Sequence, residues 1–405
     1  MSGDESAASG ATALGAGRTE LGLLAGGVLM TTSLGAYELA PASVTPLIRE
    51  SLGVGPSAAG LVVSVMFGTA VVTSIPVGVV LDRTNSRYAT AVAVGLLVVA
   101  GVWGWQAARS GAFLSLLASR VLGGVAYTVV WNAGIDVVGR AFPPERQATA
   151  VAVFTASGPI GFATGQAAAP VIAGAFGWPA VFPVFATSAV VGLALFWPTS
   201  RGRGRVSDTE PPTLADLRSV VTDRTVWVVG GVAFLAYSLF LFVNSWAPSY
   251  LTEELALSLA AGGLLTALFP AVGVVSRVSG GLVSDRLLDG RRRPVLLLSF
   301  LVATPAVAGF TAIRSVPVLV GALLVAGFAI QLGLGLVFAY VRELVDPEVA
   351  ATAVAFLTSV GLAGAFLAPI AGGALIGAAG FGTAFAAAGA LGLLGTALAW
   401  FAPEP

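Results

Sequence analysis

The fold is indicated by a short stretch that occurs twice, first as GVVLDR at residues 78–83 and again as GLVSDR at residues 281–286. A second motif repeats as well, because PERQATA at residues 144–150 is matched by PEVAATA at residues 347–353. Both pairs are separated by 203 residues, half the length of the 405-residue chain. Two independent matches at one spacing predict duplication of a single structural unit.

The sequence around these motifs is apolar, with 57% hydrophobic and 10% charged residues and a mean hydropathy of +0.93. Apolar stretches recur that are long enough to cross a hydrocarbon core of about 30 Å as helices. We predict twelve, numbered helix 1 to helix 12 in chain order: Leu21–Thr45, Ala58–Leu81, Tyr88–Ala107, Phe113–Val138, Ala148–Phe176, Ala180–Trp197, Val226–Tyr250, Leu259–Val283, Pro294–Thr311, Val316–Val341, Val349–Ile376 and Phe381–Phe401. The expected fold is therefore an all-α membrane protein with two six-helix bundles.

Two polar segments divide the chain. Residues 1–20 are small, polar and acidic, and we expect a disordered cytoplasmic tail. Residues 199–224 contain RGRGR and a Pro-Pro pair, and we expect a cytoplasmic linker. The predicted bundles are therefore residues 21–198 and 225–405.

Orientation follows from the arginines, because basic residues in short loops are retained in the cytoplasm. With the N-terminus inside, fifteen of the twenty arginines fall on the cytoplasmic side. An even number of crossings then predicts that both termini are cytoplasmic and that the chain is a multi-pass protein of the plasma membrane.

The missing residue types exclude several kinds of chemistry. The chain has no Lys, His or Cys, so it lacks the residues for a disulfide, a His/Cys zinc site, a Ser-His-Asp triad or the lysine of an ATP-binding P-loop. We therefore expect no enzyme activity, no cofactor and no metal. The net charge of zero gives no reason to expect nucleic acid. The expected partners are a small-molecule solute and the lipid bilayer, with the chain as a monomer.

The duplicated stretch resembles the G-x-x-x-D-R-x-G-R-R motif that follows helices 2 and 8 in the major facilitator superfamily. The resemblance covers the chain from helix 1 onward and implies two rocking bundles, with the motif acting as an electrostatic latch on the cytoplasmic side. The first copy departs at Asn85 and Ser86, and the second has two extra residues before Gly290. The residues that carry the implied gating role are Gly78, Asp82, Arg83, Arg87, Gly281, Asp285 and Arg286.

Two other stretches are similar to patterns of the same family. Arg120 with Gly123 and Gly124 is similar to the helix 4 pattern, and Gly158-Pro159 is similar to the helix 5 pattern. Phe154 stands where drug antiporters have a glycine, which weakens an efflux-pump interpretation.

Arg277 lies inside helix 8 before a Gly-Gly pair, and this segment resembles that of nitrate/nitrite and cyanate-type porters, where an arginine binds the anion. A guanidinium group suits this task because its fork matches planar oxyanions. The second arginine that nitrate porters carry in helix 2 is missing here. Alternatively, Arg277 forms a structural pair with an interior carboxylate.

Glu38 lies inside helix 1, where it is either a proton-coupling group or the partner of Arg277. Four residues in helices 4, 7 and 10 are further candidates for solute contact, and each could equally be an interhelical clamp or, for the tryptophan, an interfacial anchor. They are Asn132, Asn244, Trp246 and Gln331.

These observations predict a secondary transporter that moves a small solute by alternating access, driven by protons or another gradient. The solute is an anion if Arg277 contacts it. The alternatives are an efflux antiporter for hydrophobic or neutral solutes, and a membrane receptor or scaffold that kept the fold but lost transport. A channel fits least, because the sequence has no filter-like loop or ring of like charge.

Overall fold

The computed structural model describes residues 17–203 and 213–404, and within these ranges every regular element is a helix. Helices 1 to 6 are Arg18–Ser43, Pro56–Asp82, Ser86–Arg109, Phe113–Ala141, Pro144–Phe176 and Val181–Thr199. Helix 7 is Arg224–Glu253, helix 9 is Arg293–Ala308 and helix 10 is Val316–Leu344. Helix 8 has two parts, Leu259–Ala271 and Gly273–Leu287. Short helices cover Thr45–Leu52 and Leu214–Thr222.

Helices 11 and 12 lie within Ala350–Trp400, a segment of 51 residues with one non-helical residue inside it. At a rise of about 1.5 Å per residue this segment is more than twice as long as one crossing of a bilayer. Gly380 divides it, because its backbone angles of φ 80° and ψ 173° are not helical. With this division, the eleven long apolar helices among the described residues supply twelve crossings. The predicted all-α membrane fold is confirmed, including the turn expected between residues 376 and 381.

The bounds of the helices support the duplication. Helices 2 and 8 begin at residues 56 and 259, and helices 4 and 10 begin at residues 113 and 316. Both pairs are 203 residues apart, the same spacing as the sequence motifs. The two halves therefore repeat whole helices as well as short signatures.

The predicted polar segments are partly helical. Helix 1 begins at Arg18, three residues before the predicted start, and the Gly17 N–H donates to the Glu20 carboxylate at 2.7 Å. Residues 1–16 of the predicted tail and residues 204–212 of the predicted linker lie outside the described residues. Further along the linker, Leu214–Thr222 forms a short helix whose first turn is capped by Thr213 and Asp216.

The two halves meet at one side of the bundle. We call the side with the start of helix 1 and residues 199–224 the linker side, and the opposite side the far side. On the far side a Cβ at Gly373 would lie 2.5 Å from the Pro56 carbonyl oxygen, so helices 2 and 11 are in backbone contact there. Arg49 and Glu253 join the halves on the same side through two hydrogen bonds of 2.8 and 2.9 Å.

The linker side is different. At Gly78 and Gly281, no atom outside the local helical backbone lies within 4 Å of the position that a Cβ would occupy. Asp82 and Arg83 likewise have no side-chain partner in the part of the chain that the structure describes. Helix 5 of the first half packs mainly against the first, far-side part of helix 8 and much less against the second part. The interior between the halves is therefore closed at the far side and parted at the linker side.

Candidate functional site

Helix 1 places a carboxylate in the interior of the protein. Glu38 is fully buried, and neither of its carboxylate oxygens has a hydrogen-bond partner among the described residues. Three residues later, Pro41 interrupts the hydrogen bonding of the helix because proline has no N–H. The carbonyl of Tyr37, four residues before Pro41, therefore lacks its usual helical donor.

Arg120 of helix 4 supplies that donor. Its guanidinium group is fully buried and donates to the backbone oxygens of Tyr37 at 2.8 Å, Glu38 at 2.7 Å and Val62 at 2.9 Å. It also lies 4.8 Å from the centre of the Tyr37 ring and 5.7 Å from that of Phe182. Arg120 thus fixes the backbone beside Glu38, and its hydrogen-bonding capacity is used by the protein.

Arg277 of helix 8 is in the opposite situation. Its side chain is half-buried, its Nε is buried, and its guanidinium group makes no hydrogen bond or ion pair within residues 17–203 and 213–404. Its backbone is tightly held, because a Cβ at Gly335 of helix 10 would lie 3.0 Å from the Arg277 Cα. Helix 10 therefore positions a cation whose donors remain available.

Two tyrosines lie near both charged groups. Tyr127 in helix 4 and Tyr237 in helix 7 are each within electrostatic range of Glu38 and of Arg277. No ion pair joins Glu38 to Arg277 directly in the described structure, so the permanent pairing that the sequence left open is not seen. We call Glu38, Tyr127, Tyr237 and Arg277 the central site. It takes residues from both halves, and its tyrosines were not identified from the sequence.

An aromatic surface extends from the central site along helix 4. The rings of Tyr127 and Trp131 are stacked, with centres 5.9 Å apart and planes 10° apart. Trp131 lies one turn nearer the linker side and is backed by Phe154 of helix 5 at 5.9 Å. Both stacked rings are half-buried, so each keeps one accessible part. We call Tyr127 and Trp131 the aromatic shelf. The neighbouring Asn132 is exposed and donates to the Thr128 carbonyl of its own helix at 2.8 Å.

Asn244 lies in a contact between the two halves. Pro248 leaves its carbonyl without a helical donor, and the Gln166 amide of helix 5 donates to that carbonyl at 3.0 Å and to the Asn244 side-chain oxygen at 3.1 Å. The Asn244 amide itself donates to the Phe240 carbonyl at 2.7 Å. Gln166 was not identified from the sequence. The position of Pro248 does indicate that the backbone carbonyl of Asn244 lacks its helical donor.

Gln331 and Trp246 also donate to backbone carbonyls. Helix 8 is interrupted after Ala271, and the buried Gln331 amide of helix 10 donates to the Phe269 carbonyl at the interruption at 3.0 Å. The buried Trp246 indole donates to the Pro369 carbonyl of helix 11 at 3.0 Å. Of the six residues predicted to contact the solute, Glu38 and Arg277 lie at the central site. Asn244, Trp246 and Gln331 lie in helix contacts, and Asn132 lies beside the shelf.

The first copy of the gating motif is disengaged. Arg87 donates to the Trp197 carbonyl at 3.0 Å and lies 3.6 Å from the centre of the Trp197 ring, within its own half. Asp82 and Arg83 make no such contact within the described ranges. A latch between the halves is therefore not formed at this copy in the conformation with a parted linker side.

The second copy is engaged within its own half. Arg292 donates to Asp285 at 2.5 Å and to Glu343, at the end of helix 10, at 2.7 Å. The hydrogen bonds to Glu343 raise the pKa of Arg292 well above its usual range, with a further contribution from Asp285. Arg286 has no side-chain partner among the described residues. The two copies thus differ in their contacts although their sequences match.

The geometry defines what this interior can do. Within the described residues, no group of three His, Cys, Asp or Glu side chains could hold a metal ion. The central site instead offers a cation with free donors, a buried carboxylate and two tyrosine hydroxyls. This arrangement can hold a small polar solute between the halves. The charge of the site can change by one proton at Glu38, without covalent chemistry.

Comparison with known proteins gives relatives that are named as transporters or extrusion proteins. The chain is 25% identical over 264 residues to a hexuronate transporter of Bacillus subtilis (strain 168), covering 63% of this chain and 62% of the relative. It is 26% identical over 238 residues to a nitrite extrusion protein of the same organism, covering 58% and 56%. The match therefore spans about three-fifths of the length of these curated relatives.

A solved structure matches nearly the whole chain. It is the crystal structure of a bacterial homologue of the human lysosomal transporter Spinster, in an inward-facing and unoccupied conformation. The TM-score is 0.80 at 18% identity, over 96% of this chain and 97% of the other. At this identity the likeness shows the fold alone. The model of the Major Facilitator Superfamily matches residues 21–289 and 246–405, which together cover both halves. The chain is therefore a membrane protein that belongs to the Major Facilitator Superfamily.

Proposed function

We propose that this protein is a secondary transporter that moves a small monoanion across the plasma membrane by alternating access. The observation that carries the proposal is the unpaired guanidinium group of Arg277, whose Nε is buried without a hydrogen-bond partner. An arginine inside a membrane costs about 2.5–3.5 kcal/mol even on the most lenient insertion scale. A bound anion would offset that cost, because a carboxylate or similar oxyanion matches the guanidinium fork.

The names of the relatives agree with an anionic solute. The hexuronate transporter and the nitrite extrusion protein of Bacillus subtilis are both named for anions, as is a probable L-galactonate transporter of Escherichia coli (strain K12). These solutes differ in size and shape but share a negative charge. This shared negative charge is the property that Arg277 can recognise.

Glu38 is our candidate for the coupling group. Its carboxylate is fully buried, has no hydrogen-bond partner in the described ranges and lies in the half opposite Arg277. A proton taken up by Glu38 would remove the negative charge that opposes a bound anion. Anion binding and proton binding would therefore favour one another, which is what proton-driven symport requires.

We further propose that both termini are cytoplasmic, so that the parted linker side faces the cytoplasm. The fifteen arginines assigned to that side support this orientation. Asp82 and Arg83 would then form the latch only after the interior has opened to the exterior. Movement between these states would be a rocking of the halves around the central site.

The proposal is tested with the full chain in liposomes, using benzoate, D-glucuronate and nitrite as separate probes. We expect Arg277→Lys to reduce counterflow at least tenfold, because an ammonium group keeps the charge but loses the two-pronged geometry. Arg314→Lys is the matched control, since Arg314 is exposed. Glu38→Gln should keep counterflow and lose proton-driven accumulation. If no probe moves, a receptor or scaffold is favoured, and wild-type behaviour of both variants would exclude the assigned roles.

A further inference from the structure

We infer that the preferred solute is a planar, largely apolar monocarboxylate of the benzoate type, and not a polyhydroxylated sugar acid. This inference rests on the proposed transport of a monoanion and adds its substrate class. It differs from what the hexuronate and galactonate relatives alone would suggest. Three observations carry it: the charge of the central site, the occupation of its amide groups and the geometry of the aromatic shelf.

The charge of the central site favours a single negative charge on the solute. Arg277 is a cation with free donors, whereas the Arg120 guanidinium group already donates to three carbonyls. Glu38 lies within electrostatic reach of the same tyrosines as Arg277. A second negative charge on the solute would have no second cation to meet and would face a carboxylate. Dicarboxylates should therefore bind more weakly than monocarboxylates.

The amide donors of the interior are already engaged. A sugar acid carries a hydroxyl on nearly every carbon, and each one that leaves water needs a new hydrogen-bond partner. The amide N–H groups of Gln166, Asn244 and Gln331 donate to backbone carbonyls, so they are poor donors for sugar hydroxyls. A solute with one carboxylate and few hydroxyls needs fewer such partners.

The aromatic shelf offers an apolar surface beside the cation. Tyr127 lies within electrostatic range of Arg277 and stacks on Trp131 with a tilt of 10°, and both rings keep an accessible part. Phe154 is fully buried behind Trp131 and holds it in place. A flat ring seated on this shelf would direct its carboxylate towards Arg277. Aromatic stacking would then stabilise the part of the solute that makes no hydrogen bonds.

The test measures binding to the purified full chain in nanodiscs, by calorimetry, with four probes: benzoate, benzamide, D-glucuronate and nitrite. We expect benzoate to bind at least tenfold more tightly than D-glucuronate, and benzamide, its uncharged analogue, to bind at least tenfold more weakly than benzoate. Trp131→Leu should weaken benzoate at least tenfold and leave nitrite within twofold. Trp131→Phe, which keeps a ring, should lose less than Trp131→Leu. Trp400→Leu, at an exposed tryptophan, is the control.

The outcomes separate the two levels of the proposal. Arg277-dependent binding of D-glucuronate as tight as that of benzoate would overturn the substrate class and leave anion transport standing. Equal losses of nitrite affinity and benzoate affinity in Trp131→Leu would also overturn it. The aromatic shelf is expected to contact benzoate and not nitrite, and equal losses would indicate a general loss of structure instead. If no anion binds in an Arg277-dependent manner, both levels fall. The ranking of probes on the wild-type chain decides the matter if Trp131→Leu does not fold.

Discussion

Helices 1 and 7 each contain a proline that leaves one backbone carbonyl without a helical donor, and the side chains that replace this donor come from different halves. Pro41 leaves the Tyr37 carbonyl without a helical donor, and Pro248 does the same to the Asn244 carbonyl. Arg120, from the same half, donates to the first carbonyl, while Gln166, from the other half, donates to the second. One bond lies within a half and the other crosses the interface between the halves.

The two bonds therefore have different roles. The bond within one half contributes to folding, whereas the bond between the halves favours one conformation. If the halves rock as we propose, a bond within one half persists throughout and contributes to folding in every state. A bond across the far side would then have to break when that side opens, so it would contribute only to the state in which the far side is closed. Substitutions at the two donors should therefore have different consequences.

The largest effect is expected from Arg120→Leu. It leaves the Tyr37 carbonyl buried without a donor, at about 1–3 kcal/mol, and removes the ring contacts with Tyr37 and Phe182. We expect a clear drop in the thermal unfolding temperature of the purified protein, measured by intrinsic fluorescence. Arg109→Leu, at an exposed arginine of helix 3, is the control. Equal unfolding temperatures for the two variants would contradict the role of Arg120 in folding.

Gln166→Leu should instead redistribute conformations. The lost bond stabilises only the state with a closed far side, so a change of about 1 kcal/mol shifts the equilibrium roughly fivefold towards far-side opening. Because the chain has no cysteine, spin labels can be attached at Glu50→Cys and Glu254→Cys on the far side and their distance distribution measured.

The unfolding temperature of Gln166→Leu should change much less than that of Arg120→Leu. Gln106→Leu, at an exposed position of helix 3, serves as the control for the distance measurement. A distance distribution that matches the parent protein would show that the Gln166 bond does not bias the equilibrium.

Restoring the missing N–H groups sharpens the comparison. In Pro41→Ala the Tyr37 carbonyl regains a helical donor, so Arg120→Leu should cost about 1 kcal/mol less in that background. Pro248→Ala should reduce the conformational effect of Gln166→Leu in the same way. Double-mutant cycles on unfolding and on spin-label distances measure these couplings. Additive effects in both cycles would mean that the prolines do not create the need for Arg120 and Gln166.

The smallest effect on stability is expected at the two gating motifs. Asp285→Asn removes a partner of Arg292 and should cost at most about 1 kcal/mol, as for other solvent-accessible ion pairs. Asp82→Asn should leave the unfolding temperature unchanged yet slow transport, because its partner is expected only when the latch closes. Unfolding and liposome uptake are measured for both variants. Wild-type uptake by Asp82→Asn at both saturating and limiting solute would exclude the latch role.

The fold was predictable from the sequence because its signals are local or repeated. Hydropathy alone gives the length and number of the crossings, and motifs such as GVVLDR at residues 78–83 recur at the spacing of the halves. Arg277 and Glu38 were recognisable for a related reason, since a charge inside an apolar helix is rare and needs an explanation. Each of these signals can be read without knowing which helices touch.

The partners in the site were not predictable, because they depend on contacts between helices. Tyr127 and Tyr237 are ordinary residues for a membrane helix, and only the packing brings them near both charges. Gln331 was chosen as a solute contact, but the sequence does not show that its amide donates to the interruption in helix 8. Pro248 was a usable signal, since it identifies a carbonyl that needs a donor. It does not identify Gln166 as that donor.

On the orientation that we propose, the ion pair between Arg49 and Glu253 exposes the closure of the far side to the external medium. Both side chains are about one-third exposed, at 27% and 30%, and they bridge the halves on the side that we propose faces the exterior. Attraction between such accessible charges weakens as ions accumulate around them, over a screening length of about 10 Å at 0.1 M salt and about 3 Å at 1 M. The contribution of this pair to the far-side closure would therefore weaken at high salt and strengthen at low salt.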